Sequence, residues 1–117
     1  MNDYYPDCWV IVKFTGSAVG PEPLYKVLAG WYGGFARGDS WKLNSGVVGV
    51  KVEDTSYLFE GSSGSVYHCH TTSERLSTLT ASTYSWFVKQ TKDRNSEITI
   101  EIVSVQELLE HFNDSKE

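Results

Sequence analysis

The chain has little cysteine, no excess of basic charge and no long apolar run, and each shortage closes off a class of protein. Two cysteines, Cys8 and Cys69, stand in 117 residues. A small secreted scaffold held by disulfides usually carries about four or more, so two reduced, partly buried thiols are the expected state. Ten Lys and Arg face fifteen Asp and Glu, for a net charge of −5. That argues against general binding to duplex DNA, which needs a basic face to neutralise phosphates. No stretch approaches the ~20 apolar residues of a membrane-spanning helix, and no membrane partner is expected. The first apolar run, Trp9 to Val12, is too short for a signal segment and has no basic flank. A cytoplasmic protein is expected, in which Asn113-Asp114-Ser115 stays an unused glycosylation sequon.

What is present is aromatic and β-forming. Hydrophobic residues make up 40% of the chain and aromatics 14%, enough apolar surface to offset chain entropy and exclude general disorder. The length fits a single domain, 1–117, with 1–6 and 114–117 expected to be mobile. Residues 8–14 (CWVIVKF) carry apolar side chains on both faces, which predicts an interior strand. Residues 24–31 alternate in the same way. Short β-forming stretches at 40–43, 47–53, 57–59 and 65–70 are separated by Asn44-Ser45-Gly46, Asp54-Thr55 and Gly61-Ser62-Ser63-Gly64. They read as a four-stranded antiparallel meander. Residues 71–85 hold nine Ser or Thr, which lowers helix propensity. Leu76, Leu79, Thr83 and Phe87, with Tyr84 and Val88, nevertheless fall at helical spacing and predict a helix over 78–92. In 97–103, Ile98, Ile100 and Ile102 are expected to face in. Ser104 and Glu107 form a capping-box pattern ahead of a short C-terminal helix ending near Asn113. The expected fold is a single α+β domain: a mainly antiparallel sheet of five to seven strands, one helix after the meander and one at the C-terminus.

Four features are candidates for chemistry. His68 and His70 share a face of one strand, an arrangement that can supply two zinc or iron ligands. No third ligand is fixed by the sequence, and a hydrogen-bonded His pair is the competing reading. Gly61-Ser62-Ser63-Gly64-Ser65 lacks the second glycine of a nucleophile elbow and the Lys-Ser/Thr ending of a phosphate loop, and it reads as a hairpin turn. Arg37-Gly38-Asp39 matches an integrin-binding tripeptide by chance. No Ser/His/Asp or Cys/His arrangement and no spaced carboxylate pair argues for an enzyme, and no cofactor is implied. The most informative cluster is aromatic. Tyr25, Trp31, Tyr32, Phe35 and Trp41 are interleaved with Lys26, Arg37 and Lys42 and with four glycines. The charges of residues 24–52 sum to +3, against −2 before and −6 after, which points to an anionic ligand at this segment. Aromatic side chains on a Gly-rich loop stack bases or anchor protein interfaces. The candidate ligand-binding residues are Tyr32, Phe35, Arg37, Trp41 and Lys42.

The fragments Leu28-Ala29-Gly30-Trp31-Tyr32-Gly33-Gly34, Ser40-Trp41-Lys42-Leu43-Asn44-Ser45-Gly46 and Gly61-Ser62-Ser63-Gly64-Ser65-Val66-Tyr67 resemble small accessory proteins of tailed bacteriophages. The likeness covers about a third of the chain, residues 24–67, and carries no catalytic residues. It implies a viral origin and a role in the host cytoplasm during infection. The expected function is a non-enzymatic binding protein that engages a host protein or sequesters a small anionic, nucleotide-like ligand. The alternatives are a small metal-dependent enzyme using His68 and His70, and a virion structural component.

Overall fold

The computed structural model describes residues 2–34, 38–94 and 97–114. Over these residues it is an α+β domain of eight strands in two four-stranded sheets, with two α-helices. The strands are β1 (Asp3–Tyr4), β2 (Cys8–Thr15), β3 (Leu24–Trp31), β4 (Ser40–Leu43), β5 (Val47–Val52), β6 (Ser56–Gly61), β7 (Val66–His70) and β8 (Thr99–Val103). The helices are α1 (Thr78–Asp93) and α2 (Val105–Asp114). One sheet has the order β1-β7-β6-β5, the other β4-β3-β2-β8. Among the described residues the named strands all pair antiparallel except β1 with β7.

The second sheet is the middle layer. Trp9 and Ile11 of β2, with Tyr25, Val27 and Ala29 of β3, face the first sheet and α2. There they meet Phe59, Tyr67, Cys69, Val105 and Leu108 in the main core. Val10, Val12 and Leu28 face the other way, toward Leu76 and Tyr84 of the α1 segment. This is why residues 8–14 are apolar on both faces: the strand is buried from both sides. Lys13, the polar member of the inner face, is held by Glu107 Oε2 at 2.9 Å. That carboxylate also accepts from the Tyr25 hydroxyl at 3.3 Å, so α2 is tied to the sheet. Of the expected capping box at Ser104, the hydroxyl accepts the Glu107 N–H at 3.2 Å, while the Glu107 side chain turns to Lys13 instead. The full capping box stands at α1, where Ser77 and Thr80 exchange side-chain and backbone hydrogen bonds and are buried. Gly30 permits this approach. A Cβ there would stand 2.8 Å from Thr80 Cγ2 and 2.9 Å from Cys8 Sγ.

Three expectations are corrected. The meander keeps three strands, because β4 pairs with β3 instead of β5. Asn44 makes the exchange. Its N–H donates to Val27 O at 3.0 Å, and its Oδ1 accepts from Val27 N at 2.9 Å. Gly46, at φ 139°, then turns the chain into the other sheet. Residues 1–6 are not all peripheral: Asp3 and Tyr4 pair with Val66 and Tyr67, and Tyr4 packs against the main core. Ile102 is 38% exposed, because it lies on an edge strand. Residues 115–117 lie outside the described residues. Cys8 faces α1 while Cys69 lies in the main core, on opposite sides of the middle sheet, and both are free thiols. No helix among the described residues is long and apolar enough to cross a membrane.

Candidate functional site

Strand alternation divides the candidate residues of β4. Trp41 and Leu43 point to the α1 side, and Lys42 points to the opposite side. Leu43 packs with Val10, Val12 and Leu28. Trp41 remains 42% exposed, and its ring meets Phe87 of α1 edge-on at 5.6 Å. Trp86 stands next to Phe87 with ring centroids 5.5 Å apart and is 57% exposed. Between Trp41 and Trp86 lies an open, mainly apolar cleft of about 440 Å³, floored by Ser82 and Thr83. A second hollow continues past Trp86 along α1 to Gln90, Arg94 and Ile98. Two exposed indoles on different elements thus flank one cleft, and contiguous exposed apolar surface of this kind marks interaction sites.

The other candidates do not join this cleft. Lys42 Nζ lies 5.2 Å over the Tyr4 ring, on the far face of the sheet. Tyr32 is exposed just beyond β3, its N–H donated to Asp7 Oδ2 at 2.8 Å. Phe35 and Arg37 lie outside the described residues. The lysines of the basic segment are dispersed as well. Lys26 sits over Phe14 on the α1 face, and Lys51 is on β5 of the other sheet. Trp86 was missed by sequence reasoning. At i+7 from Leu79 and i+3 from Thr83 it falls at the margin of the apolar stripe, so spacing alone does not mark it as exposed, and only the packing of α1 on the sheet does.

His68 and His70 are occupied by local contacts. His68 Nε2 lies 3.0 Å from Asp3 Oδ1, and its ring stacks on Tyr5 at 4.4 Å. His70 Nδ1 accepts the Thr72 N–H at 3.2 Å and caps the 3-10 turn that follows β7. Among the described residues no group of three or more His, Cys, Asp or Glu is placed to hold a metal ion. The Gly/Ser loop is the hairpin turn between β6 and β7. Its N–H groups are spent internally, Ser62 on Gly46 O, Ser63 on Ser45 Oγ and Gly64 on Gly61 O, which leaves no cradle for a phosphate. No protein family, curated protein or solved structure matches the chain.

Proposed function

We propose that the chain is a non-enzymatic binding protein that engages a protein partner through the Trp41–Phe87–Trp86 surface. The observation that carries this reading is the pair of exposed indoles across one open, mainly apolar cleft. Tryptophan is among the residues that most often dominate binding energy at protein interfaces. The dispersal of Lys26, Lys42 and Lys51 over separate faces and sheets favours a protein partner over a phosphate-bearing ligand. The likeness of residues 24–67 to small tailed-phage proteins supports a phage accessory role in the host cytoplasm, with a host protein as the partner. A second reading rests on the cleft volume, which lies in the range of small-ligand sites: a nucleotide-like anion stacked between Trp41 and Trp86.

Two assays separate them. Pull-down from host lysate is followed by reconstitution with the purified partner, for the wild-type chain and for a Trp41→Ala/Trp86→Ala double variant. The expected result is a partner bound by the wild type and lost by the double variant. Thermal-shift titration with nucleotides and cyclic oligonucleotides should leave the melting point unchanged. A rise of several degrees, about what saturation at ~100 times Kd produces, would install the small ligand if the double variant abolishes it. A reconstituted partner that still binds the double variant removes the cleft as the site.

A further inference from the structure

The cleft lies beside an open sheet edge, and the backbone there is oriented for use. Asn44 N–H donates to Val27 O, and the Gly30 carbonyl, opposite Trp41, is turned away to accept from Asp7 N at 2.9 Å. Antiparallel ladders alternate residue by residue. Ser40 and Lys42 therefore direct their N–H and C=O groups to β3, while Trp41 and Leu43 direct theirs outward. β4 ends its sheet, and among the described residues no backbone group pairs with that outer edge. The other edges are less suitable. β1 has two residues, β5 is irregular between Val47 and Gly49, and β8 carries the charged Glu101 in the middle of its five residues.

Resting on the reading above, we propose that the partner contributes an extended segment that adds to β4 as an antiparallel strand. Cross-strand neighbours share a face. The residue opposite Trp41 thus enters the cleft between Trp41 and Trp86, and it is apolar or aromatic. The next residue falls opposite Lys42 on the other face, and it is acidic. This is strand addition, with main-chain hydrogen bonds for affinity and alternate side chains for specificity. Lys42 also selects against a second copy of this chain. The two-fold pairing that uses both outward residues sets Trp41 opposite Leu43 and so Lys42 opposite Lys42, and like charges directly across a pair are destabilising.

The test uses synthetic peptides in which one Trp is flanked on both sides by Asp within a Thr/Val-rich frame, together with a permuted isomer that breaks the alternation. Binding is read by fluorescence anisotropy of labelled peptide, and the Trp41 and Leu43 amides are read by hydrogen exchange. The alternating peptide should bind and slow exchange at both amides. N-methylation of its Trp, which removes the donor to Trp41 O, should weaken binding by about tenfold or more. Lys42→Glu should weaken the Asp-flanked peptide and favour its Lys-flanked counterpart. Binding with both amides still exchanging freely, or binding indifferent to N-methylation, overturns strand addition and leaves the cleft as a contact surface. Failure of the alternating peptide to bind, or a homodimer that protects the same two amides, also overturns it.

Discussion

The two faces of the middle sheet are built differently. The inner face closes over a core that includes Trp9, Phe59, Tyr67 and Leu108, each at most 1% exposed. The outer face carries α1, which buries only Thr80 and Thr83 from its own length. α1 is seated at its N-terminus by small residues, Gly30 against Thr80, and then leaves Trp86 in solvent. Large side chains on the inner face therefore supply most of the folding energy. On the outer face the largest side chains are left free for contact. Burial scales with apolar area removed from water, so the two layers should respond to the same substitution with very different costs.

The largest contrast is at Trp9, whose ring packs on Tyr57 and Phe59 and whose Nε1 donates to His70 O at 2.9 Å. Trp9→Ala is expected to cost about 3–5 kcal/mol, a large share of a small domain's total stability. Urea unfolding by circular dichroism measures it. A loss near 1 kcal/mol would show that the inter-sheet core does not dominate.

Alkali should attack the same face. Burial pushes the Tyr67 hydroxyl up to about 12 and raises the Cys69 thiol well above its usual range. Burial also raises Tyr25, and the hydrogen bond to Glu107 raises Lys13. Above their ordinary values the unfolded chain releases phenol and thiol protons that the fold retains, so stability falls as pH rises. The Lys13 bond acts in the same direction: its contribution is complete below the ordinary lysine value and is lost as pH rises through the raised one. Each group adds a slope of up to about 1.4 kcal/mol per pH unit. Urea midpoints measured from pH ~8 to ~11 should fall, and less steeply in Tyr67→Phe. A flat profile would contradict the burial argument.

How legible this was depended on how local the cause was. The bounds of β3 and β4 and the start of α1 follow from alternation and helical spacing within each segment. The partner of β4 does not, because Asn44-Ser45-Gly46 reads equally as a hairpin turn or as a passage between sheets. The choice is made by Asn44 reaching Val27, seventeen residues away. Likewise Asp3–Tyr4 is a strand only because β7 offers its edge. Trp41 was recognised as a binding candidate, but its grouping with Trp86 depends on α1 crossing the sheet beside β4. Lys42 sits one residue away in sequence and on the other face in space, a separation that strand geometry imposes.

The attachment of α1 can be weakened without touching the inner core. The Ser77 hydroxyl accepts the Thr80 N–H at 3.1 Å, and the pair is buried. Ser77→Ala is expected to cost about 1 kcal/mol, the usual loss of an N-cap. Hydrogen exchange should quicken in the first turns of α1 while β2 and β6 stay protected, since layers held by few buried contacts open locally. Equal acceleration in β2 and β6 would mean that the two faces open as one unit.

The smallest effect on folding should be the largest on binding. Trp86→Ala removes a side chain that is 57% exposed, and Phe87 keeps its contact with Trp41 from the neighbouring position. Alanine is also the better helix former by several tenths of a kcal/mol. The stability change is therefore expected to lie within about 0.5 kcal/mol, against the several expected for the same substitution at Trp9. Affinity for the partner should fall by about 2 kcal/mol or more, as for a central aromatic anchor, roughly thirtyfold in Kd. Unfolding and binding must be measured on the same preparation for the comparison to bear weight. A variant that loses stability as Trp9→Ala does would make Trp86 part of the packing. One that keeps both stability and affinity would separate the outer layer from recognition altogether.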